Sequence, residues 1–264
     1  MSDAILAYML SLQDWNDNLT IGTWLGFLRS VVIYHNPVNS APIRRLYRNL
    51  LKEENLVFDI GAHVGTRARA MRAAGARVIA LEPQAPFSTY LRWTLPRDIR
   101  LIEAAAGRSE SIAQMAVSSR HPTVSSLKTG FVEAASATPG FEKVKWDMIQ
   151  NVRVTTLDAL IAEEGVPRYI KIDVEGFELD VLAGLSHPVE IISVEYLPGL
   201  PDLTIAVIDR LMELGQYRFN PVRGEEGDFL WDQWSDAETV KRWLRSLAAH
   251  EKSGDLYARL PDPT

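Results

Sequence analysis

The 264-residue chain is 47% hydrophobic and 23% charged, with 28 Lys plus Arg against 34 Asp plus Glu, a formal charge of -6, and no cysteine. Such a composition suits one large globular domain, or one domain with an appendage, and offers no electrostatic footprint for nucleic acid or an anionic membrane. Without cysteine there is no disulfide, no thiolate nucleophile and no Cys-ligated zinc.

The opening MSDAILAYML lacks a basic stretch followed by a long apolar core, and the run IGTWLGFLRSVVIY is interrupted by Arg29 and too short to span a bilayer. A cytoplasmic protein with a small-molecule partner, and with neither membrane nor nucleic acid as partner, is expected. Residues 1–53 show helical spacing at Ile5, Tyr8, Met9 and Leu12, at Leu25, Leu28 and Val32, and at Leu46, Leu50 and Leu51, punctuated by HNPVNSAP. They read as an N-terminal helical extension acting as a cap. From Asn55 short apolar runs alternate with helical stretches: LVFDI then RARAMRAAG, RVIAL then APFSTYLRWTL, then IRLIEAAA. Alternation of this kind implies a parallel sheet covered by helices on both faces, an α/β domain over 54–264. The segment from about 118 to 150, rich in Ser, Gly, Pro and aromatics, reads as irregular and substrate-facing. VRVTTL, YIKIDVEG with the helix FELDVLAGL, the strand EIISVEY, a helix from about Leu203 to Leu214, YRFNPV and a last strand GDLYARL complete the chain.

In a doubly wound sheet, ligands bind beyond the carboxyl ends of the strands, and the first strand-to-helix turn uses glycine to let backbone approach them. Gly61 and Gly65 occupy that turn. The dinucleotide fingerprint G-x-G-x-x-G fails, because His63 and Thr66 stand where its second and third glycines belong. Asp59, ending the strand, would repel a pyrophosphate but suits an ammonium or sulfonium group. Glu82 ends the second strand 23 positions later, near the spacing of about 20 residues for an acid that chelates ribose hydroxyls. An adenosine bearing a cationic amino-acid arm, S-adenosylmethionine, satisfies both acids.

With VFDIGAHVG, VIALEPQ, VRVTTLDALI, YIKIDVEGFELDVLAGL, ISVEY and a closing GDLYARL in that order over about 55–260, the chain resembles the FkbM-type class I methyltransferases. KIDVEG-x-E is the most specific of these stretches. The resemblance implies a Rossmann-like class I core, a mostly parallel seven-stranded sheet with an antiparallel last strand, that uses S-adenosylmethionine and methylates a hydroxyl oxygen. Asp59, Gly61, His63, Gly65, Glu82, Ala105 and Asp173 form the expected cofactor set. His63 stands where the family often has asparagine, either as a polar contact to the cofactor or as a base titrating near neutrality.

Lys171 and Asp173 share a strand face by period-two alternation, and Glu195 ends the neighbouring strand IISVE. Asp173, His63 and Glu195 are the expected catalytic residues. A buried lysine needs a partner, and Glu178 is the expected one for Lys171. Asp173, Glu195 and His63 would also suit Mg²⁺ or Mn²⁺, but no ligand spacing is diagnostic, and no metal site is assigned. In HPTVSSL, His121 and Ser126 are expected to bind substrate, with Trp146 in an apolar wall joined from the other side by Trp231 and Trp234. Competing readings are a dinucleotide-dependent oxidoreductase and a non-catalytic cofactor-binding module. The acceptor's identity and the oligomeric state are not encoded in any motif.

Overall fold

The structure, a computed structural model, describes residues 40–118 and 147–261. Helix α1 (Ser40–Leu50) carries Pro42 in its first turn and buries Ile43, Leu46 and Tyr47, spaced three and four apart, by packing on helix α2 (Thr66–Ala73). Strand β1 (Leu56–Ile60) precedes α2, and β2 (Arg77–Leu81), α3 (Ala85–Thr94) and β3 (Arg100–Ile102) follow. Next come β4 (Ala105–Ala106), β5 (Ser111–Val117), β6 (Met148–Thr155), α4 (Leu157–Glu164), β7 (Tyr169–Ile172) and α5 (Glu178–Ala183). The chain then runs through β8 (Ile191–Tyr196), α6 (Pro201–Leu214), β9 (Arg218–Arg223), α7 (Ala237–Ser246) and β10 (Gly254–Arg259).

Seven strands form the main sheet in the order β3-β2-β1-β7-β8-β10-β9, and β10 alone runs against the rest. This is the Rossmann-like α/β architecture expected, with its antiparallel last strand. Order reverses between β1 and β7, so the carboxyl ends of these strands frame the crevice where such sheets bind ligands. A second sheet, β4-β6-β5, was not anticipated. Its strand β6 starts at Met148, so the segment read as irregular up to 150 gives way to regular pairing with β5 from that residue on. Helix α7 was missed too; Asp236 caps it by accepting from the Thr239 N–H at 2.8 Å.

Alternate residues of the central strands build two different faces. Phe58, Ile60, Ile170, Ile172, Ile192, Val194, Leu256 and Ala258 pack beneath helices α4 to α7 in one apolar core. Each such Ile or Phe contributes about 1.5–3 kcal/mol by leaving water. The opposite face, under α1, α2 and α3, starts equally apolar with Val57, Tyr169 and Ile191. One rung toward the carboxyl ends it becomes polar: Asp59 aligns with Lys171, Lys171 with Ser193, and Ser193 with Tyr257. In the next rung Glu195 aligns with Asp255.

Candidate active site

The turn leaving β1 is shaped by three residues of positive φ, Gly61 (83°), His63 (51°) and Gly65 (77°). Both the Gly61 and Ala62 N–H groups donate to the Leu81 carbonyl, at 3.0 and 2.8 Å, which binds the turn to the end of β2. A Cβ on Gly61 would collide with the Asp173 carbonyl oxygen, so this glycine is what lets the turn close onto the end of β7. The His63 N–H donates to Glu82 Oε2 at 2.7 Å and the Gln84 N–H to Oε1 at 2.9 Å. Glu82 is thereby fixed beside the turn, and each carboxylate oxygen keeps a lone pair for a further donor.

Asp59 is fully buried, and among the described residues no side chain bonds its carboxylate; the Ala68 N–H is the one backbone donor that acts on it. Burial pushes its pKa up to about 6 against the lowering influence of Lys171 and Arg67. Burial likewise lifts Glu82 to about 7, although the Gln84 and His63 amides pull the other way. His63 is pushed down to about 4 by burial, against the charge of Asp173, and its ring sits 4.1 Å from that of Phe87. A pKa held down by burial runs against a base titrating near neutrality, one of the two roles expected for His63.

Beyond the rung of Asp59 and Lys171 the acids gather. Lys171 Nζ donates to Asp173 Oδ2 at 2.8 Å, so the lysine's bonded partner is Asp173 and not Glu178. Strand geometry explains the correction: Asp173 directly follows β7, two residues beyond Lys171, and stays on the lysine's face. Glu178 turns back to accept the Gly176 and Val174 N–H groups at 3.1 and 3.3 Å and caps its own loop. Burial would raise Asp173, but Lys171 outweighs it and holds the carboxyl below its ordinary value. Oxygens of Asp173, Glu175 and Glu195 lie within 4.8 Å of one another, all three side chains half-buried. Burial, then repulsion among these acids, drives Glu175 and Glu195 well above the usual carboxylate range. Three carboxylates at such spacing attract a cation, organic or metallic; as oxygen donors they are of the type hard divalent ions take. Glu175 thus occupies the third place in which His63 was weighed.

A family model described as the methyltransferase FkbM domain matches residues 59–248, from Asp59 at the end of β1 to just past α7. The chain belongs to the FkbM methyltransferase family. No curated protein sequence matches this FkbM methyltransferase. Among solved structures it is similar to a precorrin-6y C5,15-methyltransferase from Geobacter metallireducens GS-15, at 13% identity and a TM-score of 0.42, over 83% of this chain and 87% of that one. A cofactor-bound Rv0187 from MTB is similar at 12% identity and 0.42, over 100% and 99% of the two chains. A putative RNA methyltransferase from Pyrococcus horikoshii is similar at 9% identity and 0.40, over 85% and 84%.

Within this FkbM methyltransferase the turn residues Gly61, His63 and Gly65 adjoin Glu82, while Asp59 in β1 and Glu195 in β8 share the sheet face of Lys171, and Asp173 follows the end of β7. Ala105 lies in β4, its side chain buried with Met115, Val117, Val152 and Val154 in the core of the small sheet. Ser126, Trp146 and His121 fall outside the described residues. Trp231 and Trp234 do not form a wall over the site. Trp231 packs edge-on against Trp243 at 5.5 Å and bonds Asn220 through its backbone. Trp234 lies under Arg259, which aligns with Ile191 at the amino end of β8, opposite the acids. Sequence reading missed Arg67, whose charge acts on Asp59 and Asp173, and its ion-pair partner Asp255. A carboxylate inside the apolar strand GDLYARL was the available signal. No helix among the described residues is long and apolar enough to cross a membrane.

Proposed function

We propose that the protein uses S-adenosylmethionine to methylate a hydroxyl oxygen of a small molecule such as a sugar or a natural product. One observation carries this reading: among the described residues no side chain bonds the buried Asp59 carboxylate beneath the glycine turn, on a sheet face where carboxylates outnumber the cations Lys171 and Arg67. A fold keeps such a surplus where a ligand brings the missing positive charge. The residues fit this cofactor in one further respect, since Glu82, held beside the turn by two backbone N–H groups, has lone pairs free for a diol. A net charge of -6 favours a small acceptor over a nucleic acid.

When bound, S-adenosylmethionine supplies an activated methyl group on a sulfonium centre. Asp59 faces the cationic arm, and Glu82 accepts the ribose hydroxyls. Asp173, kept ionised by Lys171, orients the acceptor hydroxyl by accepting its hydrogen bond. Glu195, with its raised proton affinity, is suited to take up that proton when it enters the step ionised. His63, its imidazole held neutral by burial, packs against Phe87 with the two rings tilted. Alignment of donor and acceptor accounts for the larger share of the rate, roughly 7–11 kcal/mol, and proton transfer for about 10²- to 10⁴-fold.

Isothermal titration calorimetry with S-adenosylhomocysteine, and NADH as a control, tests the reading. Micromolar binding of the former alone supports it; preference for NADH moves the protein to dinucleotide chemistry. Tight binding with no transfer to a broad panel of hydroxyl compounds would support a non-catalytic module.

A further inference from the structure

Charges on the polar face of the sheet come as two pairs and a surplus. Lys171 is bonded to Asp173. Arg67, two residues beyond Gly65 in the first turn of α2, reaches Asp255 at the start of β10 with Nη2 and Oδ2 3.1 Å apart and their side chains 17% and 7% exposed. GDLYARL is built to hold this carboxylate. A Cβ on Gly254 would collide with the Val222 carbonyl oxygen, and Tyr257 stacks on Tyr169 at 6.0 Å. Asp255 itself aligns with Glu195. The charge of Arg67 acts on Asp59 and on Asp173, the two acids assigned above to donor and acceptor.

A buried pair of this type is weak evidence for stability, because well-packed apolar residues commonly replace such pairs at no cost. Its location gives it a use in recognition. We propose that Asp255 is a positioning residue which, by neutralising Arg67, sets the site's preference for the cationic sulfonium donor over its neutral thioether product. The inference rests on the S-adenosylmethionine reading. Without the Asp255 carboxylate, Arg67 presents an uncompensated positive charge toward Asp59 and Asp173 and repels a cation bound there. S-adenosylmethionine and S-adenosylhomocysteine differ by one methyl group and one unit of charge, so the change acts on the first ligand and spares the second. Glu195 ionises more readily once Asp255 is gone, and this offsets part of the loss.

The experiment is a set of calorimetric titrations at pH 8 with each ligand on the wild type, Asp255→Asn, Arg67→Met, and the double variant Arg67→Met/Asp255→Leu. Relative to the wild type, Asp255→Asn should shift the affinity ratio of S-adenosylmethionine to S-adenosylhomocysteine on the order of 10-fold toward the product. Arg67→Met should shift it toward the donor, and the double variant should return it to within about 3-fold of wild type. Arg67→Met and the double variant carry the test if Asp255→Asn does not fold. Equal weakening of both ligands, leaving the ratio constant in every variant, assigns the pair to structure alone and overturns the inference. Failure of the wild type to bind either ligand overturns the cofactor reading beneath it.

Discussion

Two faces of one sheet, built from alternate residues of the same five-residue strand, serve opposite ends. Phe58 and Ile60 point into a core of Ile, Val, Leu and Tyr beneath α4 to α7, while Asp59 between them points under α2 toward Lys171. Burying the first pair stabilises the fold; burying a carboxylate that no side chain among the described residues bonds opposes it. The polar rung is tolerated because the rung below it, Val57, Tyr169 and Ile191, is apolar and packed by α1 and α2. The FkbM methyltransferase thus concentrates its charge in the last turn of the sheet, where the strands open onto the crevice.

Substitutions on each face separate these contributions. Gly61→Ala should have the largest effect, since a side chain there faces both the 83° φ and the Asp173 carbonyl; overpacking and backbone strain together cost about 3–5 kcal/mol. Urea unfolding would read it, and a loss under about 1 kcal/mol would show that the turn does not press on β7. On the apolar face, Ile170→Ala should cost about 2–5 kcal/mol while the folded protein keeps its donor affinity.

Asp59→Asn should do the reverse. A carboxyl whose pKa is raised to about 6 loses folding stability as pH rises through that value. The ligand-free variant should therefore match the wild type near pH 3.5 and exceed it by about 2–3 kcal/mol at pH 8, while losing donor affinity. Glu82, lifted to about 7, adds a loss of the same sign at slightly higher pH. His63, pushed down to about 4, has the opposite sign: its stabilisation is complete above about 6.5 and disappears as pH falls toward 4. Thermal melts of the wild type, Asp59→Asn and His63→Asn between pH 4 and 8 distinguish the three. The smallest effect expected is that of His63→Asn on turnover at pH 8, under about 3-fold; a drop of 100-fold would restore the imidazole as a base.

How far the sequence showed this in advance differs between the faces in the same way. Apolar runs of four or five residues marked β1, β2, β7 and β8, and the glycines and Glu82 located the turn, because both signals are local. Strand β5 escaped because SIAQMAV buries little beyond Met115 and Val117, leaving no clear period. Lys171 was assigned to Glu178, close in sequence, when the strand pleat places Asp173 beside it. Arg67 and Asp255 lie 188 positions apart, and only the placement of β10 beside β8 brings them together.

The most direct test of the central claim is the affinity of S-adenosylmethionine for the wild type and for Asp59→Asn at pH 8, with melting temperatures measured on the same samples. The account predicts a variant that melts no lower than the wild type and binds the donor at least about 30-fold more weakly. Equal affinities in the two folded proteins would contradict it, because the buried acid under the glycine turn would then have no part in holding the donor's charge.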